Sequence, residues 1–257
     1  MAIPGYSRNH PYRSSVELLL IVIVVIVLFG AIHAIFQLES LVQIAAADLI
    51  LSLIGIFLLA RLGWWRNAGY TAGIRLAQVP LLILPCAIAL LSLAQGVQVT
   101  APVTILGFAA LTLLIGFTEE TWFRGLIFNT LLPAGTIRAV IISSFLFAAP
   151  HLLNAIGGVW DPVFTIVDAV AAFGLGITFA ALRLRTGSIW PLVGLHALFD
   201  FTALISVGGI EIPAQSPGVL VSSVFIGLVF VVYGLYLLKN EITPGYKRPF
   251  EYFSKGF

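Results

Sequence analysis

The chain has 257 residues, of which 60% are hydrophobic and only 9% charged, and its formal net charge is +2. With a mean hydropathy of +1.08, that composition excludes an ordinary soluble domain, and the small net charge gives no footing for nucleic-acid binding. Cys86 is the single cysteine, so neither an intrachain disulfide nor a cysteine-based metal cluster can form.

Met1 to Ser15 is polar and reads as a short lead. The apolar run from Val16 to about Gln37 is too long for the core of a signal peptide and predicts a retained first membrane helix. A second span covers about Val42 to Ala60 and ends in RLGWWRNAGYTAGIR, whose Arg61, Arg66 and Arg75 accompany the interfacial aromatics Trp64, Trp65 and Tyr70. The third runs from about Ala77 to Leu93, kinked by Pro80 and Pro85. The fourth, about Thr104 to Leu132, is longer than a bilayer requires, which implies tilt or projection. A fifth, preceded by Arg138, runs to about Leu153 and gives way to a loop, NAIGGVWDP; the sixth, seventh and eighth cover about Val163–Leu182, Ile189–Val207 and Val219–Leu238.

The expected fold is therefore all-α: a polytopic membrane helix bundle of about eight transmembrane helices. Arg8, Arg13, Arg61, Arg66, Arg75, Arg138, Arg183, Arg185, Lys239, Lys247, Arg248 and Lys255 all fall on one side of that arrangement, and the opposite loops carry Glu39, Asp161 and Glu211 without a Lys or Arg. By the positive-inside rule both termini are cytoplasmic. Three segments are expected: residues 1–103, the lead and three helices; 104–206, a core of four helices; and 207–257, the last helix with a basic tail.

The fourth span contains GFTEETWFRG, which places Glu119, Glu120 and Arg124 within an apolar run. Each charge at the bilayer centre costs about 2.5 to 3.5 kcal/mol on insertion scales. Glu120 and Arg124 are spaced i, i+4 with the acid first, the favourable order for an ion pair. Glu119 points about 100° away from Glu120 and is left over. Two further polar sites lie in apolar helices: His151 one turn after Phe147 in FLFAAPH, and His196 one turn before Asp200 in HALFD. One carboxylate with two imidazoles is material for activating water, directly or through a metal. His33, Asp48 and Asp168 stand alone and are expected to pack or to hydrogen-bond between helices; His10 and Glu17 lie near the cytoplasmic surface.

EETWFR, FAAPH and HALFD have the forms EExxxR, FxxxH and HxxxN or HxxxD. In that order on successive apolar segments they resemble the CPBP family of intramembrane proteases, which takes in CAAX prenyl endopeptidases of the Rce1 type and bacterial bacteriocin-processing and immunity proteins. The resemblance covers roughly Thr104 to Thr202 and implies hydrolysis of a peptide bond of a membrane-associated peptide or lipidated protein, within the bilayer of a prokaryotic plasma membrane. It implies Glu119 as the general base, His151 as a holder of the water, His196 and Asp200 as oxyanion stabilisers, and Glu120 with Arg124 as a brace. No cofactor is required on this reading; if the activity is metal-dependent, Glu119, His151 and His196 would hold zinc. An ionised Asp200 would repel an oxyanion, so it acts either as the protonated acid or by orienting His196 through its second ring nitrogen, and the second role is the expectation. Two other classes remain open: a non-catalytic immunity or partner-binding protein, and a proton- or metal-coupled transporter.

Overall fold

The computed structural model describes residues 9–158, 160–209 and 217–242. Among these, every regular element is helical, and eight helices are long and apolar enough to cross a membrane. They are α1 (Pro11–Phe36), α2 (Ser40–Leu62), α3 (Leu76–Ala94), α4 (Pro102–Ala134), α5 (Thr136–Ile156), α6 (Pro162–Thr186), α7 (Trp190–Val207) and α8 (Pro217–Ile242). The protein is a multi-pass integral membrane protein. Glu211 and the basic residues Arg8, Lys247, Arg248 and Lys255, used above for topology, lie outside the described residues.

Three helices depart from the regular form expected of them. Within α3, Leu76–Leu82 and Ser92–Gln95 are 3₁₀-helical and flank a short α-helical stretch, with Pro80 inside the first; proline removes a backbone donor there. In α4 an α-helix ends at Glu120 and a π-helical stretch, Thr121–Ile127, follows directly. In α5 the α-helix stops at Ala148 and a 3₁₀ segment, Ala149–Gly158, continues it. His151 thus lies in 3₁₀ geometry just after Pro150, not on a regular α-helix, and NAIGGVWDP begins in that helical segment instead of forming a loop throughout.

Large apolar side chains on α1, α2 and α8 point outward, as lipid-facing helices require. α6 is the most enclosed span. Without a hydrophobic drive between helices in lipid, small residues and close backbone contact do the joining. A Cβ on Gly174 of α6 would collide with the carbonyl oxygen of Gly227 on α8, and one on Gly176 would meet Ser144 of α5 at 2.9 Å. Thr178 Oγ1 adds a bond of 2.5 Å to the Phe230 carbonyl of α8.

At one end of the bundle the α2–α3 connection docks on the α6–α7 turn. Arg183, expected to be a loop charge, is buried in the last turns of α6, where its guanidinium donates to the carbonyls of Asn67 (2.6 Å) and Ala68 (3.2 Å). Ser188 donates to the Ala72 carbonyl (2.7 Å), Trp190 Nε1 to that of Tyr70 (3.1 Å), and Gln78 to that of Arg185 (2.8 Å). These bonds fix Tyr70 over the π-helical stretch of α4.

Candidate active site

The site begins with Gly116. A Cβ there would meet the Val193 carbonyl oxygen at 2.8 Å, the Ala197 nitrogen at 3.1 Å and His196 Cβ at 3.3 Å. The absent side chain lets α4 lie directly on α7, one turn before its two glutamates. Both glutamates then reach the same imidazole. His196 Nδ1 bonds Glu120 Oε1 at 2.9 Å, while Nε2 faces Glu119 Oε2 at 3.4 Å and Asp200 Oδ2 at 3.8 Å.

Glu120 and Arg124 form the expected pair, with Nη1 to Oε1 at 3.0 Å and side chains 0% and 2% exposed. Glu120 is more than a brace, because the same oxygen accepts from His196. A carboxylate only accepts, so Nδ1 of His196 carries the proton. That corrects the expectation for Asp200: the nitrogen it was to orient belongs to Glu120, and Asp200 stands on the Nε2 side beside Glu119.

Arg124 also lies 4.1 Å from the ring centroid of Phe147 and 5.3 Å from that of Phe179, cation–π contacts that help carry its charge. The Phe147 ring touches His151 (5.7 Å between centroids), His196 (5.9 Å) and Phe123 (5.1 Å). The first residue of the FxxxH spacing therefore sets the separation of the two histidines.

Glu119 is 30% exposed at the side chain and opens into a cavity of about 240 Å³. Its polar lining is Asp48, Thr118, Glu119, His151 and Asn154, and its apolar walls include Val22, Ile26, Leu51 and Trp122. Several waters fit a space of that size and polarity. Glu119 and His151 share this cavity, and Glu119 turns toward His196 at its edge.

Residues outside the motifs complete the arrangement. Asp168 of α6, expected to be solitary, bonds His151 Nδ1 through Oδ2 at 2.8 Å. Asp48, also expected to stand alone, lines the cavity with Glu119. His33 has its Nδ1 buried without a hydrogen-bond partner among the described residues. In the π-helical stretch the side-chain amide of Asn129 donates to the carbonyls of Gly125 (2.7 Å) and Arg124 (3.2 Å). Trp122 Nε1 ties the same stretch to the Leu51 carbonyl of α2 at 2.9 Å. Thr121 donates to the Phe117 carbonyl at 2.5 Å and so accepts from the Tyr70 hydroxyl. Burial pushes the Tyr70 phenol up to about 12, so it stays a neutral donor. A signal for Asp168 existed in the sequence: ionisable groups within a membrane pair with one another, and His151 and Asp168 are the unmatched groups of consecutive spans.

Among the described residues, no three His, Cys, Asp or Glu side chains converge to hold a metal ion. In both histidines Nδ1 faces a carboxylate on another helix, which leaves Nε2 as the nitrogen each can turn toward the site.

Residues 100–202 match the model of the type II CAAX prenyl endopeptidase Rce1-like family. The matched segment holds Glu119, Glu120, Arg124, His151, Asp168, His196 and Asp200, and the cavity adds Asp48 from outside it. Comparison with curated proteins and with solved structures finds no match.

Proposed function

We propose that the protein is an intramembrane endopeptidase in which Glu119 activates the hydrolytic water. The observation that carries this reading is the juxtaposition of Glu119 with His151 in one polar cavity and with His196 Nε2 at 3.4 Å; the Rce1-like match agrees with it. Glu119 takes a proton from water, and the oxygen attacks the scissile carbonyl. The oxyanion accepts from His196 as an imidazolium, whose Nδ1–H stays on Glu120 and whose Nε2–H faces the reacting centre. Asp200, displaced from the orienting role, supplies a second donor as the protonated acid. Glu119 then passes its proton to the leaving amine, and the C–N bond breaks. No step runs through a metal.

The substrate is a membrane-associated peptide, and a prenylated CAAX-type protein is the form the match suggests. The α2–α3 and α6–α7 connections face the cytoplasm on the distribution of Lys and Arg, in a prokaryotic plasma membrane, and the four helices of 104–206 form the catalytic core. The test compares membrane-peptide termini by mass spectrometry in cells carrying the wild type or Glu119→Ala. New termini should appear with the wild type and vanish with the variant while its amount in the membrane holds. Identical termini in both would refute the reading.

A further inference from the structure

Asp168 and His151 come from different spans and meet over a separation of 17 residues, Nδ1 to Oδ2 at 2.8 Å, each side chain 29% exposed. Asp168 is not at the end of its helix: α6 begins at Pro162, N-capped by Asp161, whose Oδ1 accepts from Val163 (2.8 Å) and Phe164 (3.2 Å). Asp168 lies almost two turns further on. A carboxylate placed at that depth carries a desolvation penalty that packing alone does not explain.

We propose that Asp168 is a positioning residue which fixes the tautomer and direction of His151 for catalysis. The inference rests on the hydrolase reading above. A carboxylate accepts only, so its partner nitrogen Nδ1 carries the proton and Nε2 keeps its lone pair. Nε2 is then the nitrogen that His151 offers to the cavity it lines with Glu119. Water between the two has one hydrogen for the Glu119 carboxylate and one for His151 Nε2, which leaves an oxygen lone pair for the carbonyl. With Asp168 in place, His151 can only accept from that water. Without it, the ring is free to present Nε2–H, which competes for the lone pair that must attack.

Asp168→Asn is the informative change because it preserves size and reverses the bond: an amide NH₂ donates to Nδ1 and forces the proton to Nε2. In the Ser-His-Asp triad the same exchange costs about 10⁴ in kcat through the wrong tautomer. His151 here holds water without itself taking the nucleophile's proton, so a loss of roughly 10²-fold is expected, the lower end of acid–base contributions.

The experiment uses the full chain in liposomes with a farnesylated fluorogenic CAAX peptide, and in parallel ¹⁵N-histidine solid-state NMR of the same samples. Asp168→Asn should lower kcat about 100-fold with KM unchanged, Asp168→Glu should restore part of it, and Asp168→Asn should add nothing in a His151→Ala background. NMR should report His151 protonated at Nδ1 in the wild type and at Nε2 in Asp168→Asn, a readout that needs no substrate. Full kcat in Asp168→Asn, an additive double variant, or an unchanged tautomer would overturn the proposal while Glu119→Ala still reports an enzyme. Wild-type protein that cleaves no better than Glu119→Ala would instead overturn the hydrolase reading, and this inference with it.

Discussion

Glu120 Oε1 accepts from both Arg124 and His196, so a single oxygen joins the ion pair to the His196 imidazole. Removing one charge of a buried pair costs about 3 to 5 kcal/mol because the other is left uncompensated. Glu120→Gln should therefore lower stability by about that amount in detergent denaturation, and adding Arg124→Met should recover most of it. Recovery of stability without recovery of cleavage is expected, since His196 would still lack a carboxylate on Nδ1. At Asp200 the outcome differs. Its Oδ2 is buried and without a hydrogen-bond partner among the described residues, and an amide there can donate to an oxyanion. Asp200→Asn should keep most of the kcat and Asp200→Ala should lose it, measured on one peptide substrate. Comparable activity in both variants would contradict the donor role.

The π-helical stretch and Gly116 decide how α4 presents these side chains. The i, i+4 spacing of Glu120 and Arg124 was readable in the sequence because an ion pair needs only local geometry. The π-helix was not, since most of its ties are distant: Trp122 reaches α2 and Tyr70 reaches Thr121 from a connection, with Asn129 the one tie from nearby in sequence among those described. Nor does periodicity reveal that Glu119 and Glu120, about 100° apart on a helix, both reach His196; a ring with two opposed nitrogens lets diverging side chains meet at one residue. Gly116→Ala inserts a methyl 2.8 Å from the Val193 carbonyl. Overpacking of this kind costs about 1 to 3 kcal/mol, and α4 must shift relative to α7. Its kcat should fall at least tenfold with all ionisable groups intact, read in a liposome cleavage assay beside the melting midpoint. Wild-type kcat in Gly116→Ala would show that the contact does not set the site.

Across the whole molecule, span number and order were legible because bilayer thickness and hydropathy dictate them, and the largest boundary shifts are the earlier start of α1 at Pro11 and the later ends of α6 at Thr186 and α8 at Ile242. The place of Asp48 in the cavity was hidden, because which helices become neighbours depends on packing that no local pattern encodes. Arg183 shows the same limit: a basic residue at the end of a span read as a solvated loop charge, whereas it is enclosed and binds the α2–α3 connection. In a Cys86→Ser background, Arg66→Cys should react with a membrane-impermeant thiol reagent only from the cytoplasmic side and Gln98→Cys only from the other. Reversed labelling would overturn the orientation. The hydrolase account itself is tested most directly by a single turnover in H₂¹⁸O, using the purified protein and a substrate peptide identified from the terminus comparison. Water activated by Glu119 should put one ¹⁸O into the new carboxylate of the product and none into the protein; ¹⁸O in the Glu119 side chain, or cleavage that persists in Glu119→Gln, would contradict it.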